Sequence, residues 1–257
     1  LTADGHHQMN SHEKSLLNML GSGESINSAC AATGFTLKAF ETWWINQTAS
    51  RVPLLNGTKS VPLNGTAEIL RDKRGIPHIY AHSEYDLFFA YGYAMAQDRL
   101  WQLDYFRRKS SGRLAEILGP SAIQQDLIAK TVGINRYSKQ EVERIPATTR
   151  SRLAAFSDGI NCVIDESTDC PPIEFDLLDY RPEPWSPLDS VCIWSEFRWY
   201  LTGRFPVIVL PELAKRTLGT GPLYEAFLTP EAGDESILPK GSYNPSPHDI
   251  RGVGEAV

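Results

Sequence analysis

The chain is organised around an apolar-rich stretch between residues 67 and 119. Two short apolar runs, Ala67-Glu68-Ile69-Leu70 and Ile76-Pro77-His78-Ile79-Tyr80, flank Arg71-Asp72-Lys73-Arg74-Gly75. This spacing predicts a small hairpin whose turn uses Gly75 for a positive φ. Ser83 then offers an N-cap oxygen and Asp86 places a negative charge in the first turn, so a helix is predicted from Glu84 to about Lys109. Only Gly92 stands against it. Leu87, Phe88, Phe89, Tyr91, Tyr93, Met95, Leu100, Trp101, Leu103, Tyr105 and Phe106 cover nearly its whole circumference, which predicts a helix buried on all sides. Trp101 and Phe106 are therefore expected in the core. Gln97-Asp98-Arg99, in the middle of that helix, is expected to be paired, because a lone buried charge is costly.

Upstream, apolar periods at Leu16, Leu17 and Leu20, at Ile26, Ala29 and Cys30, and at Phe35, Leu37, Phe40, Trp43 and Trp44 predict three short helices broken by glycines. Pro53, Asn56-Gly57, Pro62 and Asn64-Gly65 mark a linker. The division expected is a helical appendage plus linker over 1–60 and a main body over 61–257. Downstream, short helices are predicted over 113–118, 122–130 and 139–144, and an amphipathic one over 147–165. Pro171-Pro172 and Tyr180-Arg-Pro-Glu-Pro184 delimit an extended loop. Ser186-Pro187-Leu188-Asp189 opens a helix running to about Thr202, with further helices near 208–217 and 223–228. From Pro230 onward no apolar period is visible. The fold class expected is mostly α with a few β-strands.

Composition narrows the function classes. The 257 residues carry a net charge of −6, which argues against a general nucleic-acid or anionic-membrane binder. No stretch suits a transmembrane helix. Cys30, Cys162, Cys170 and Cys192 form no C-x-x-C pattern, and a Cys162–Cys170 disulfide stands against the default of free thiols. Residues 26–40 faintly resemble a helix-turn-helix, but the segment from Thr36 to Asn46 has Lys38 as its only cation. A structural or partner-docking appendage is the preferred reading; a helical regulatory or DNA-binding protein is the alternative. The chain shows no G-x-S-x-G elbow, no H-E-x-x-H and no Walker loop. That absence suits a chain that is one part of an enzyme.

Arg71-Asp72, Gly75-Ile76-Pro77-His78-Ile79, Gly92-Tyr93, Ala96-Gln97-Asp98-Arg99-Leu100, Arg107-Arg108, Gly112 and Ala115-Glu116-Ile117-Leu118-Gly119 follow one another over about fifty residues. This run resembles the start of the α subunit of penicillin acylase family enzymes, amidases of the N-terminal nucleophile hydrolase superfamily. The resemblance continues more weakly to Trp185-Ser186-Pro187-Leu188-Asp189 and leaves residues 1–60 outside. It implies an αββα sandwich completed by a β chain cut from the same precursor. It also implies a nucleophilic serine at the start of β, so no catalytic residue is expected here. The chain would shape the acyl pocket through Arg204-Phe205, with Arg198 as the competitor in an ungapped reading. Glu212 would be the α-chain ligand of a Ca²⁺ bridging to the partner. Candidate substrates are β-lactam side chains, acyl-homoserine lactones, acylated lipopeptides or other N-acyl amines, and a periplasmic or secreted location is expected. An inactive paralogue is the other alternative.

Overall fold

The computed structural model describes residues 9–53, 56–60, 67–202 and 205–228. The chain divides into two compact units, Leu1–Leu201 and Thr202–Val257.

The first unit opens with three short helices: α1 (Ser11–Gly21), α2 (Ile26–Thr33) and α3 (Leu37–Ala49). Asn10 and Glu13 form a reciprocal capping box at α1, and Ser25 and Thr36 cap α2 and α3. Leu16, Ala29, Cys30 and Phe40 make a small core of their own, edged by Trp43 and Trp44. Trp43 Nε1 donates to Glu13 Oε1 at 2.8 Å. The α2–turn–α3 pair exists as read from the sequence, and the exposed side chains on α3 include Leu37, Glu41 and Ile45. This module is fastened to the rest of the unit at two points. Arg51, beyond α3, donates to Asp176 Oδ2 at 2.6 Å and to the Pro171 carbonyl at 2.8 Å. Gly21 meets the Leu177 carbonyl so closely that an added Cβ would lie 1.6 Å from its oxygen.

The hairpin forms as expected from β2 (Ala67–Arg71) and β3 (Pro77–Ala81), with Gly75 at φ 76°. The linker contributes a strand that the residues did not announce. This is β1 (Gly57–Ser60), which pairs antiparallel with β2 and gives a three-stranded sheet in the order β1-β2-β3. Its cause is pairing, since an edge of β2 lies open to any extended segment.

The long helix α4 (Glu84–Ser111) is capped by Ser83 and ends at Gly112 in the left-handed conformation. Its main neighbour is α8 (Ala147–Glu166). The two cross at paired glycines: a Cβ on Gly92 would sit 2.1 Å from the Phe156 carbonyl oxygen, and one on Gly159 2.0 Å from that of Phe89. Gly92 is thus not a helix breaker but the point of closest approach. Phe89, Tyr93, Leu100, Ile69, Ile160, Phe175 and Trp185 form the core around the crossing. The helix departs from expectation in two respects. It leaves helical geometry at Arg99 (φ −142°, ψ 25°), beside the bridge that Arg71 makes to Asp98 at 2.9 Å. It is also not buried all round: Tyr85, Leu87 and Tyr91 are exposed, and Trp101 and Phe106 are half-buried. The sheet, α8 and the segment 173–185 cover only part of its circumference.

The remaining elements of this unit are α5 (Ala115–Leu118), a 3-10 turn (Gly119–Ala122), α6 (Ile123–Val132), α7 (Ile134–Arg144), α9 (Ile173–Leu177) and α10 (Pro187–Thr202). α9 falls inside the segment expected to be extended. Short proline-bounded runs hide a single helical turn of this kind. Cys30, Cys162, Cys170 and Cys192 form no disulfide. The second unit holds α11 (Phe205–Leu218) and α12 (Pro222–Leu228).

Candidate functional site

A charged knot carries much of the motif-bearing stretch. Asp104 is 1% exposed and accepts from Arg107 Nε at 2.7 Å and from Arg108 Nε at 2.8 Å. Arg107 also donates to the carbonyls of Glu183 and Pro184 and lies over the Trp185 ring. Arg108 lies over Tyr180 and reaches Glu116 at 2.7 Å. Arg113 bridges Glu116 and Glu183, and its guanidinium holds the Glu183 carboxyl down at about 2. The three arginines are each committed to fixed acceptors, so the knot positions the segment 180–185 rather than offering a reactive group.

That segment delivers α10. Trp185 N donates to Asn161 Oδ1 and Ser186 N to Asp189 Oδ2, which sets the helix start as read from Ser186-Pro187-Leu188-Asp189. α10 then turns its polar side chains toward this chain. Ser195 meets Ser138 at 3.1 Å, Glu196 meets Lys109 at 2.8 Å, and Arg198 pairs with Glu141. Cys192 sits buried at the same seam, accepts from Asn135, and has its thiol pushed up by burial. Away from the seam stand Trp194, Phe197, Tyr200 and Leu201, at 66, 57, 65 and 62% exposure. The Phe197 and Tyr200 rings stack at 6.5 Å between centroids. These four lie within eight residues at helical spacings of three, four and seven, a line that was legible in the sequence but not singled out there.

Of the residues proposed from the sequence, Arg198 lies on α10 and Phe205 and Glu212 on α11. Arg198 is half-exposed and held by Glu141 and by Ser195. Arg204 lies outside the described residues. Phe205 opens α11, and its side chain also lies outside them. Glu212, on α11, is exposed and accepts from Arg216 at 2.9 Å. Among the described residues no group of three or more His, Cys, Asp or Glu could hold a metal. Ca²⁺ takes six to eight oxygens, so Glu212 fits such an ion only as one donor to a site completed elsewhere.

One concavity was not foreseen. A cleft of about 620 Å³ opens where α4 kinks, between Arg99, Trp101, Tyr105 and Phe106 on one side and Arg51 and Ile173 on the other. The N-terminal module thus builds one wall of a cleft whose other walls belong to the main body. No helix among the described residues is long and apolar enough to cross a membrane.

The penicillin amidase family model matches residues 66–244. Penicillin acylase 2 proenzyme of Pseudomonas sp. strain SE83 is 37% identical over 143 residues, covering 55% of this chain and 18% of that protein. Acyl-homoserine lactone acylase QuiP of Pseudomonas aeruginosa is 29% identical over 215 residues, covering 82% of this chain and 25% of its own length. The chain therefore spans about a fifth to a quarter of these curated relatives. Among solved structures, a chain of the thermostable penicillin G acylase from Alcaligenes faecalis superposes with a TM-score of 0.57 at 24% identity. It is covered over its whole length by 72% of this chain, and the likeness shows a shared fold. With the family model matched from the hairpin through α10 and beyond, the chain belongs to the penicillin amidase family.

Proposed function

We propose that this chain is the α portion of an autoprocessed amide hydrolase. One observation carries the reading. The chain covers 18–25% of relatives named as proenzyme or acylase, yet the whole of one crystallised penicillin G acylase chain. A precursor cut into a short and a long polypeptide accounts for both figures. The nucleophile then lies on the long polypeptide, as its N-terminal serine.

In that mechanism the serine hydroxyl attacks the amide carbonyl while the serine's own α-amine takes its proton. The C–N bond breaks as the amine leaves with a proton, and an acyl-enzyme ester remains. Water then releases the carboxylic acid. This chain's part is to hold the acyl group. Arg204 and Phe205 are the proposed contacts; Arg198 would have to leave Glu141 to serve. Glu212 is the proposed single α-chain donor to a shared Ca²⁺. Recruiting it breaks an exposed i,i+4 pair with Arg216, a cost of about 0.5 kcal/mol that one good metal bond exceeds. An apolar N-acyl amide is the substrate class, with acyl-homoserine lactones and penicillins first to be assayed.

The test is expression of the full-length precursor, followed by intact mass and N-terminal sequencing of what purifies. A second polypeptide beginning with Ser, and hydrolysis of acyl amides that stops when this Ser is replaced by Ala, is the expected result. A single uncut species without amidase activity overturns the reading.

A further inference from the structure

The cleft at the α4 kink is lined by two charged side chains that the scaffold leaves unpaired. Arg99 on α4 is exposed and Glu174 on α9 is half-buried, and neither has a partner among the described residues. The other charges on its walls are already engaged. Arg51 pairs with Asp176 at 2.6 Å, and Asp98 pairs with Arg71 at 2.9 Å. What stays free is one positive group and one negative group.

The rest of the lining is rich in apolar groups. Trp101, Tyr105 and Phe106 make a run of neighbouring rings, with centroids 5.5 Å apart for the first pair and 5.6 Å for the second. Val52 and Ile173 line the cleft from the N-terminal module and from α9. These walls are held in place. The Arg51–Asp176 pair ties the N-terminal module to α9, and the Arg71–Asp98 pair fixes α4 just before it kinks. A pre-formed concavity of about 620 Å³ is of the size that takes a small molecule.

The two free charges select what fits. A monocarboxylate gains from Arg99 and is repelled by Glu174, and an amine meets the reverse. A molecule bearing both charges gains at each, and no charge is left without a counter-ion when the ligand covers it. Its body must be apolar and is best flat, to lie against the rings.

We propose that this cleft binds an aromatic zwitterion of the α-amino-acid class. Its carboxylate lies on the Arg99 guanidinium, its ammonium on the Glu174 carboxylate, and its ring against Trp101, Tyr105 and Phe106. The inference stands without the hydrolytic reading above, since none of these residues is among those proposed for the acyl group. The family match begins at residue 66, so the wall from Arg51 to Pro53 lies outside it.

The test uses the purified full-length protein and three probes with the same benzyl body. L-Phenylalanine carries both charges, 3-phenylpropanoate only the carboxylate, and 2-phenylethylamine only the ammonium. Calorimetric titration is expected to show millimolar binding of phenylalanine, at least tenfold tighter than of either singly charged probe. Arg99→Gln and Glu174→Gln should each weaken phenylalanine at least tenfold. Glu174→Gln should tighten 3-phenylpropanoate, because it removes the repelling charge. The site is located with phenylglyoxal, which modifies accessible guanidinium groups. Saturating phenylalanine should slow modification of Arg99 at least fivefold in peptide mass maps and leave the rate at the exposed Arg74 unchanged. Protection of the wild type keeps the test decisive if a variant fails to fold. Absence of phenylalanine binding, binding that survives both substitutions, or an Arg99 that is unreactive before any ligand is added overturns the inference. A singly charged probe that binds as tightly as phenylalanine overturns the choice of a zwitterion.

Discussion

α4 and α10 are both rich in aromatic residues, and the chain treats them in opposite ways. On α4, Phe89, Tyr93 and Leu100 are 7, 0 and 2% exposed, and the glycine crossing with α8 brings backbone against backbone. On α10, Trp194, Phe197 and Tyr200 are turned outward, Ser195 and Glu196 are partly buried against Ser138 and Lys109, and the half-exposed Arg198 pairs with Glu141. Hydrophobicity alone does not say which way a helix faces. What decides is where charged side chains find partners. α4 keeps Asp104, Arg107 and Arg108 together in one interior knot, so its charges are buried along with its rings. α10 spends its charges on fastening itself, and Trp194, Phe197 and Tyr200 stay exposed.

The strongest way to break this contrast is to remove the centre of the knot. Asp104→Ala leaves Arg107 and Arg108 buried with one partner fewer each, and should destabilise the fold by about 3–5 kcal/mol in denaturant melts. Phe89→Ala should cost a similar ~3–5 kcal/mol as a large-to-small core change. A loss under about 1 kcal/mol for either would mean that α4 is not the structural centre. Next in size is Gly159→Ala. Its methyl would meet the Phe89 carbonyl at 2.0 Å, so the helices must separate, at a cost of roughly 3 kcal/mol. Helix propensity alone predicts a gain of about 1 kcal/mol for the same change, so the sign of the effect separates a close crossing from a merely flexible helix.

Much of the scaffold was legible in the sequence, and the reason is instructive. The ordered motif residues turn out to be scaffold: Arg71 with Asp98, Gly92 at the crossing, Arg107 and Arg108 on Asp104, Glu116 on Arg108. Such positions tolerate few alternatives, so they carry both the resemblance and the local rules of capping and turns. Helix α4, the hairpin and the start of α10 were accordingly readable. β1 and α9 were not, because a four-residue strand and a five-residue helix exist by tertiary pairing, with no period of their own. The expected all-round burial of α4 failed for a related reason. Composition counts rings but not the layers available to cover them, and Tyr85, Leu87 and Tyr91 stay exposed here. For the site, pattern pointed to Arg204, Phe205, Arg198 and Glu212. The spacing of the aromatic line on α10 was legible but not singled out, and its exposure followed only from the structure.

A smaller effect sharpens the electrostatic side. Glu183 is ionised down to about 2, against 4.5 for a free glutamate, chiefly because Arg113 donates to it. A depressed carboxylate stabilises the fold fully above the unfolded value and loses that contribution as pH falls from about 4.5 toward 2. The side chain is about half-exposed, so screening limits the effect to about 1 kcal/mol or less. Glu183→Gln should lower stability by that amount at pH 7 and flatten the dependence on pH between 4.5 and 2. An unchanged pH profile would mean that the Arg113 bridge contributes nothing in solution.

The smallest expected effect is the most telling about the two helices. Phe197→Ala removes the same side chain as Phe89→Ala, from a helix of similar composition. In the 257-residue chain by itself the ring is already in water, so stability should change by no more than about 0.5 kcal/mol. If Phe197→Ala is costly in this chain, the ring is already covered by it, and the apolar face of α10 is part of its own core.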